Sequence, residues 1–329
     1  MQNRIIIGTD VSKSTLDHGI HSGMQHVKTS NDTSGFKSWL KWALQFGSKN
    51  ELWVIMEHTG YYSYQFELFL HSQQISYTKV PALEIKRSVG LVRGKTDKVD
   101  ALTISRYGWM RRDELKPQEI SAEVMTELKD LINLRDKLVR DRSGYKARVK
   151  EQKLTRRYPK SHIQNQLQTR RIKELGRDIR EVEQAIKELI KADEALLNNY
   201  NLLVSIKGVG FVSAVFMLAC TENFKKFTNS KKFSCYAGLV PFEHKSGTSI
   251  RGRSRVSHYA NKKAKHLLNL AASVAIQHNL ELKEYYQRRL TEGKSKMSVL
   301  NIIRNKLVDR MFAVVKKQSP YQETLRIAA

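Results

Sequence analysis

Four acidic residues stand where chemistry could be done. Asp10 follows the apolar run at residues 4–8 (Arg-Ile-Ile-Ile-Gly), and Glu57 closes the run Leu52-Trp53-Val54-Ile55-Met56. A carboxylate at the mouth of an apolar core is costly unless it binds something positive. The ends of buried strands are also where α/β folds build their sites. Asp97 and Asp100, three residues apart at the start of a predicted helix, project from one face of it. Carboxylates with water are the ligands Mg²⁺ prefers, and two such ions can clamp the attacking and leaving oxygens of a phosphodiester. Each acid also has a structural use: Asp10 as a turn residue, Asp97 as a helix cap, Asp100 on the helix dipole, Glu57 as partner to a basic side chain. His58, beside Glu57, reads as structural.

A second set is cationic. Lys245-Ser246-Gly247-Thr248-Ser249-Ile250-Arg251-Gly252-Arg253-Ser254-Arg255 reads as a basic loop. Its glycines let the backbone approach a phosphate closely, and a hydroxyl among cations can be activated as a nucleophile. The chemistry does not choose among Ser246, Thr248, Ser249 and Ser254, and plain phosphate binding needs none of them. Ile206-Lys207-Gly208-Val209-Gly210 reads either as a helix-hairpin-helix turn that offers backbone N–H groups to a phosphate, or as a glycine turn between packed helices. The expected nucleic-acid contacts are Lys95, Lys207, Gly208, Gly210, Lys245, Arg251, Arg253 and Arg255.

The elements that must position these residues follow from hydropathy patterning. Strands are expected at residues 4–8, Leu16–His21, His26–Thr29, Leu52–Met56 and Ile75–Val80. Helices are expected around Phe36–Leu44, Tyr61–His71, Ala82–Val89 and Asp97–Met110. The order β-β-β-α-β-α-β-α is that of an RNase H-like fold. From about Ser121 to Asn198 helix formers and charge dominate. Ile172, Leu175, Ile179, Val182, Ile186 and Leu189 form a heptad seam, which serves either a dimeric coiled coil or a helical hairpin within the chain. After Asn198 a mainly helical region is expected: helix, Gly208–Gly210 turn, helix, the basic loop, then helices near Asn261–His278 and Val299–Val315. The expected domains are therefore 1–115, 116–198 and 199–329.

Composition bounds the partners. The 329 residues carry 58 Lys+Arg against 32 Asp+Glu, a formal charge of +26, and so large an excess repels itself unless a polyanion is bound. Nucleic acid is that polyanion. A membrane is not expected, because no apolar run approaches the ~20 residues of a span. No signal peptide is expected either, and a cytoplasmic location follows, with the two cysteines, Cys220 and Cys235, reduced and read as small core residues.

In this order, Gly8-Thr9-Asp10-Val11-Ser12-Lys13, Glu57-His58-Thr59-Gly60-Tyr61-Tyr62, Lys95-Thr96-Asp97-Lys98-Val99-Asp100-Ala101, Gly208-Val209-Gly210, FSCYAGLVP at 233–241 and Ser246-Gly247-Thr248-Ser249-Ile250-Arg251-Gly252 resemble the DEDD transposases of the IS110 insertion-sequence family and the Piv/MooV DNA invertases, nearly end to end. The resemblance implies a RuvC-like first domain whose Asp10, Glu57, Asp97 and Asp100 bind Mg²⁺, two ions per site. It implies a C-terminal transposase domain in which Ser246 is the nucleophile, with the metal site and serine shared across subunits of a dimer or tetramer. It further implies donor and target DNA as substrates, a structured guide RNA as a partner, and association with the nucleoid when active. The alternatives are a site-specific invertase, a metal-dependent junction-resolving nuclease with no covalent serine step, and a non-catalytic nucleic-acid-binding protein that keeps the fold.

Overall fold

The computed structural model describes residues 4–58, 60–88, 90, 96–118, 123–155, 158–159, 161–246, 250–257 and 259–323, with the backbone alone at 244–246, 250–251 and 253–255. The chain forms two compact units, Met1–Ile120 and Ser121–Ala329.

The first unit is built on a five-stranded sheet of β1 (Ile5–Val11), β2 (Thr15–Ile20), β3 (Gln25–Ser30), β4 (Leu52–Glu57) and β5 (Ser76–Val80), in the order β3-β2-β1-β4-β5. β1–β2 and β2–β3 are antiparallel, whereas β1–β4 and β4–β5 are parallel. The short connections at Ser12–Ser14 and His21–Met24 suit antiparallel neighbours, and the helical crossovers give the parallel ones. Helices α1 (Thr33–Ala43) and α2 (Tyr64–Ser72) cover one face. There Trp39, Phe36 and Phe66 pack with Ile7, Leu16 and Val54. Helices α3 (Ala82–Ser88) and α4 (Asp97–Met110) cover the other, where Ile85, Ile104 and Tyr107 meet Ile6, Trp53 and Ile55. Both faces are buried, so β1 and β4 read as unbroken apolar runs rather than alternating ones. Of the candidate caps for α1, Asp32 is the one used, its Oδ1 accepting from Gly35 N at 2.8 Å.

The second unit is mainly helical. The long helices α5 (Glu123–Thr155) and α6 (Ile163–Ala192) run antiparallel, as the Arg135–Glu183 ion pair and the approach of Arg142 to Gly176 require. Leu175, Ile179 and Ile186 of the heptad seam are buried within this one chain. Within the chain the seam serves the helical hairpin. Helices α7 (Glu194–Val204), α8 (Phe211–Thr221), α9 (Ser230–Tyr236), α10 (Lys262–His278), α11 (Leu280–Thr291) and α12 (Lys296–Lys317) close one apolar core with the α5–α6 stem. Asn229, Asn261, Asn279 and Ser295 cap α9 to α12 through their side-chain oxygens.

Two expectations need correction. The basic loop is a β-hairpin, β6 (Pro241–Ser246) paired with β7 (Ile250–Val256). Arg251, Arg253 and Arg255 fall at every second position of β7, a period of two that its Ser/Gly/Arg composition concealed. Cys235 is exposed. Phe233 of the short α9 and Ala237, its C-cap, take the inward face, which leaves Cys235 outside; Cys220 is half-buried.

Candidate functional site

The strand register builds the acidic cluster. Lys28 pairs with Asp17, and Asp17 with Asp10. The β1–β4 register that matches Thr9 with Met56 brings Asp10 beside Glu57 at the next step, and Glu57 pairs with Val80. Directly paired strand residues point to the same side of a sheet. One row across all five strands therefore reads Lys28, Asp17, Asp10, Glu57, Val80, on the face that α4 covers.

α4 brings the other two acids down to that row. An added Cβ at Gly8 would lie 2.2 Å from Ala101 O and 2.2 Å from Ser105 N, and one at Gly19 would lie 3.0 Å from the backbone of Leu102. Only glycines let the helix lie this close to the sheet. Ser105 fastens the contact, its Oγ donating to Ile6 O at 2.9 Å and accepting from His21 N at 3.1 Å. Asp100 immediately precedes Ala101, and Asp97 lies one turn before it. The N-cap is Thr96, whose Oγ1 accepts from Val99 N at 3.3 Å, so Asp97 is released from the capping role its position suggested.

The electrostatics record the convergence. Burial, followed by the carboxylates of Asp100, Asp97, Glu57 and Asp17, pushes the Asp10 carboxyl up to about 6. Like charges crowded around a half-buried acid favour its proton. Asp17, itself buried, is the acid the sequence reading missed. One of its oxygens lies 2.8 Å from His26 Nε2 and the other 3.1 Å from Lys28 Nζ. The same ammonium is 3.1 Å from Asp97 Oδ2, so Lys28 bridges strand and helix. The signal for Asp17 was available: pairing the two strands across Ser12–Ser14 sets it opposite Asp10. As they stand, no three His, Cys, Asp or Glu among the described residues are gathered tightly enough to hold a metal ion. The donor set itself, all carboxylate and short of positive charge, fits a hard divalent cation.

In the second unit, Ser246 ends β6, paired with Ile250, and Lys245 pairs with Arg251. Gly247, Thr248 and Ser249 lie outside the described residues, as does Lys95. The Gly208–Gly210 turn joins α7 to α8. Gly208 has φ +98°, and a Cβ there would lie 2.5 Å from Ala271 O of α10, so this glycine serves helix packing. Lys207 is paired with Glu323 at 3.1 Å. Gly210, the N-cap of α8, has open space beside it. Among the described residues no helix is long and apolar enough to cross a membrane.

Comparison with known proteins adds independent support. A family model for DEDD transposases of the IS110 type, described as Transposase, matches residues 7–159. A second, described as Transposase IS116/IS110/IS902 family, matches residues 200–287. The chain is 26% identical to the pilin gene-inverting proteins of Moraxella bovis and Moraxella lacunata, over 98% of this chain and 99% of each relative. It is also 26% identical to the transposase for insertion sequence element IS1111A of Coxiella burnetii, over 45% of this chain and 41% of that protein.

Proposed function

We propose that this chain, which matches two transposase family models of the IS110 type, is a DNA transposase/recombinase that cuts and rejoins DNA with a carboxylate-held metal site in its first domain and Ser246 in its second. A DEDD domain implies dependence on a divalent metal. The observation that carries the reading is the gathering of Asp97, Asp100, Glu57 and Asp17 around the half-buried Asp10, where burial and these carboxylates favour a proton and the surplus of negative charge suits a cation. The strand order β3-β2-β1-β4-β5 supports a RuvC-like first domain.

In this reading Asp10, Glu57, Asp97 and Asp100 hold Mg²⁺, two ions per site. The metal, when bound, supplies charge stabilisation to the phosphodiester oxygens. Asp17 stays outside the ligand set, because His26 and Lys28 already occupy its two oxygens. Gly8 and Gly19 set the height of α4, and with it the reach of Asp97 and Asp100. The Ser246 hydroxyl attacks the scissile phosphorus, the ester bond to the leaving 3′ or 5′ oxygen breaks, and a serine–phosphate ester holds the cut end. Attack by a DNA hydroxyl on that ester rejoins the strand and returns the serine. Lys245, Arg251, Arg253 and Arg255 neutralise the backbone near the cut. The charge of +26 accommodates a structured guide RNA as well as donor and target DNA, in a homo-oligomer working at the nucleoid.

A trapping assay tests this. The protein, with any co-purifying RNA and Mg²⁺, is incubated with labelled DNA spanning the ends of its element, and the products are denatured beside those of Ser246→Ala. The expected result is a protein–DNA adduct in wild type that is absent from the variant. Free cut ends without an adduct in either would leave a metal-dependent nuclease and reduce Ser246 to a phosphate contact.

Full-length similarity to two pilin gene-inverting proteins, against partial similarity to the insertion-sequence transposase, favours site-specific inversion as the second reading. Substrates carrying inverted recombination sites in one molecule, scored for inversion against excision and insertion, separate the two.

A further inference from the structure

Among the described residues, Arg304 is an arginine without a counter-ion. It is 96% buried on α12, since its exposure is only 4%, and its guanidinium meets two neutral oxygens, Oδ1 of Asn301 and Oδ1 of Asn269. Its Nε has no hydrogen-bond partner, and among the described residues no carboxylate pairs with it. Burial lowers its hold on its proton, as expected of a charge taken from water without compensation. The arrangement is held in place. Asn301 donates to Leu239 O at 2.8 Å, and Asn305 donates to the same oxygen at 3.4 Å, which fixes the side chain that Arg304 grips.

Arg304 lines a cavity of about 930 Å³ that also takes in Lys265, Lys294, Ser295 and Ser298, and none of the described residues bordering it is acidic. Lys294 to Ser298 are the turn and first turn of the 22-residue α12, so the positive end of its dipole opens there. Met297, Ile302 and the amides of Asn301 and Asn305 line it as well, and its far side is Pro241 and Val256, the paired residues at the base of the β6–β7 hairpin. A buried guanidinium that meets no carboxylate among the described residues, two lysines and the hydroxyls of Ser295 and Ser298 give this cavity the character of an oxyanion site.

We propose that this cavity binds a single backbone phosphate of the nucleic-acid strand that passes the β6–β7 hairpin. The seat fixes the strand five residues of β6 away from Ser246, through the stem of the hairpin rather than its tip. Specificity for sequence is not its task, since a phosphate contact positions a strand and carries no base information. The proposal rests on the reading of this protein as a nucleic-acid enzyme, and it names a residue outside the basic segment that drew attention in the sequence.

The test is salt-dependent binding of labelled single-stranded DNA, and separately of RNA of the same sequence, by fluorescence anisotropy. Wild type is compared with Arg304→Gln, Arg304→Lys and the surface pair Lys265→Ala/Lys294→Ala, each checked for folding by circular dichroism. Loss of one phosphate contact lowers the slope of log K against log salt by about 1. Arg304→Gln is expected to show that loss together with roughly tenfold weaker binding, and Arg304→Lys to restore part of it. If Arg304→Gln does not fold, the surface pair carries the test, with a smaller slope and weaker binding expected. A loss confined to DNA assigns the phosphate to DNA, and one confined to RNA assigns it to RNA. Folded variants with wild-type affinity and slope on both would overturn the proposal. Recombination is scored separately: an inactive wild type whose variants still lose slope keeps the seat and removes the recombinase reading, whereas normal recombination with unchanged slopes removes the seat alone.

Discussion

Asp17 stands directly opposite Asp10 on the neighbouring antiparallel strand, two carboxylates side by side at the end of a buried sheet. They are not equivalent. Asp17 has His26 and Lys28 on its two oxygens, whereas burial, and then the repulsion of the neighbouring carboxylates, pushes Asp10 up to about 6.

That asymmetry sets a pH dependence. The Asp10 carboxyl is raised above its unfolded value of 3.8, so the folded protein holds this proton more tightly than the unfolded chain does. Its contribution to stability is complete below the unfolded value and is lost as pH rises through about 6, by linkage. Metal-free wild type should therefore gain melting temperature relative to Asp10→Asn as pH falls from 7.5 to about 4.5. Added Mg²⁺ at pH 7.5 should raise the melting temperature of wild type and leave Asp10→Asn nearly unmoved. A difference between the two proteins that stays flat across this range would mean that Asp10 is neither buried nor crowded enough to hold its proton.

Lys28 is the cation now seated between Asp17 and Asp97, and a divalent ion on Asp97 must compete with it. Lys28→Gln is expected to tighten Mn²⁺ binding by roughly two- to fivefold, the scale of an exposed, screened charge, as read by titration calorimetry. Weaker binding in the variant would give Lys28 the opposite task, holding Asp97 in place for the metal.

Gly8 and Gly144 offer a matched pair of glycine substitutions. A methyl at Gly8 collides with the backbone of α4, whereas Gly144, in the middle of α5, has nothing within 4 Å of its added Cβ. Gly8→Ala should cost about 1–3 kcal/mol, the range for overpacking, and should also abolish strand cleavage by lifting Asp97 and Asp100 from the row. Gly144→Ala should stabilise by about 0.5–1 kcal/mol, through helix propensity alone. Urea melts combined with the cleavage assay separate the two.

Most of the first unit was legible in the sequence because its strands are buried on both faces and its helices on one. The apolar runs before Asp10 and Glu57 and the amphipathic stretch from Phe36 announce themselves locally. Asp17 and Lys28 did not, because their role depends on register, a relation between strands rather than a property of either. The β6–β7 hairpin was hidden for a different reason. Its residues Pro241, Phe242 and Glu243 are exposed, so no apolar alternation marks β6, and glycine and serine give it the composition of a loop. Arg304 was equally silent, since one arginine in the apolar-periodic stretch of α12 looks like a surface residue until its burial is known.

The heptad seam on α6 is where periodicity was read correctly and its partner remained open. A 3.5-residue repeat specifies a facing helix, not whose helix it is. Ile186 is fully buried within the single chain, in a core with Leu128 and Ile132 of α5, and Arg135 reinforces the pair through Glu183. Ile186→Ala should thus cost about 2–5 kcal/mol, the range for removing a buried aliphatic side chain. Because the contact is internal, that loss should not depend on protein concentration, as it would if the seam joined two subunits. Urea denaturation at two concentrations a hundredfold apart checks this. A midpoint shift of the variant that grows on dilution would move the seam to an interface between chains and make α5 a secondary partner.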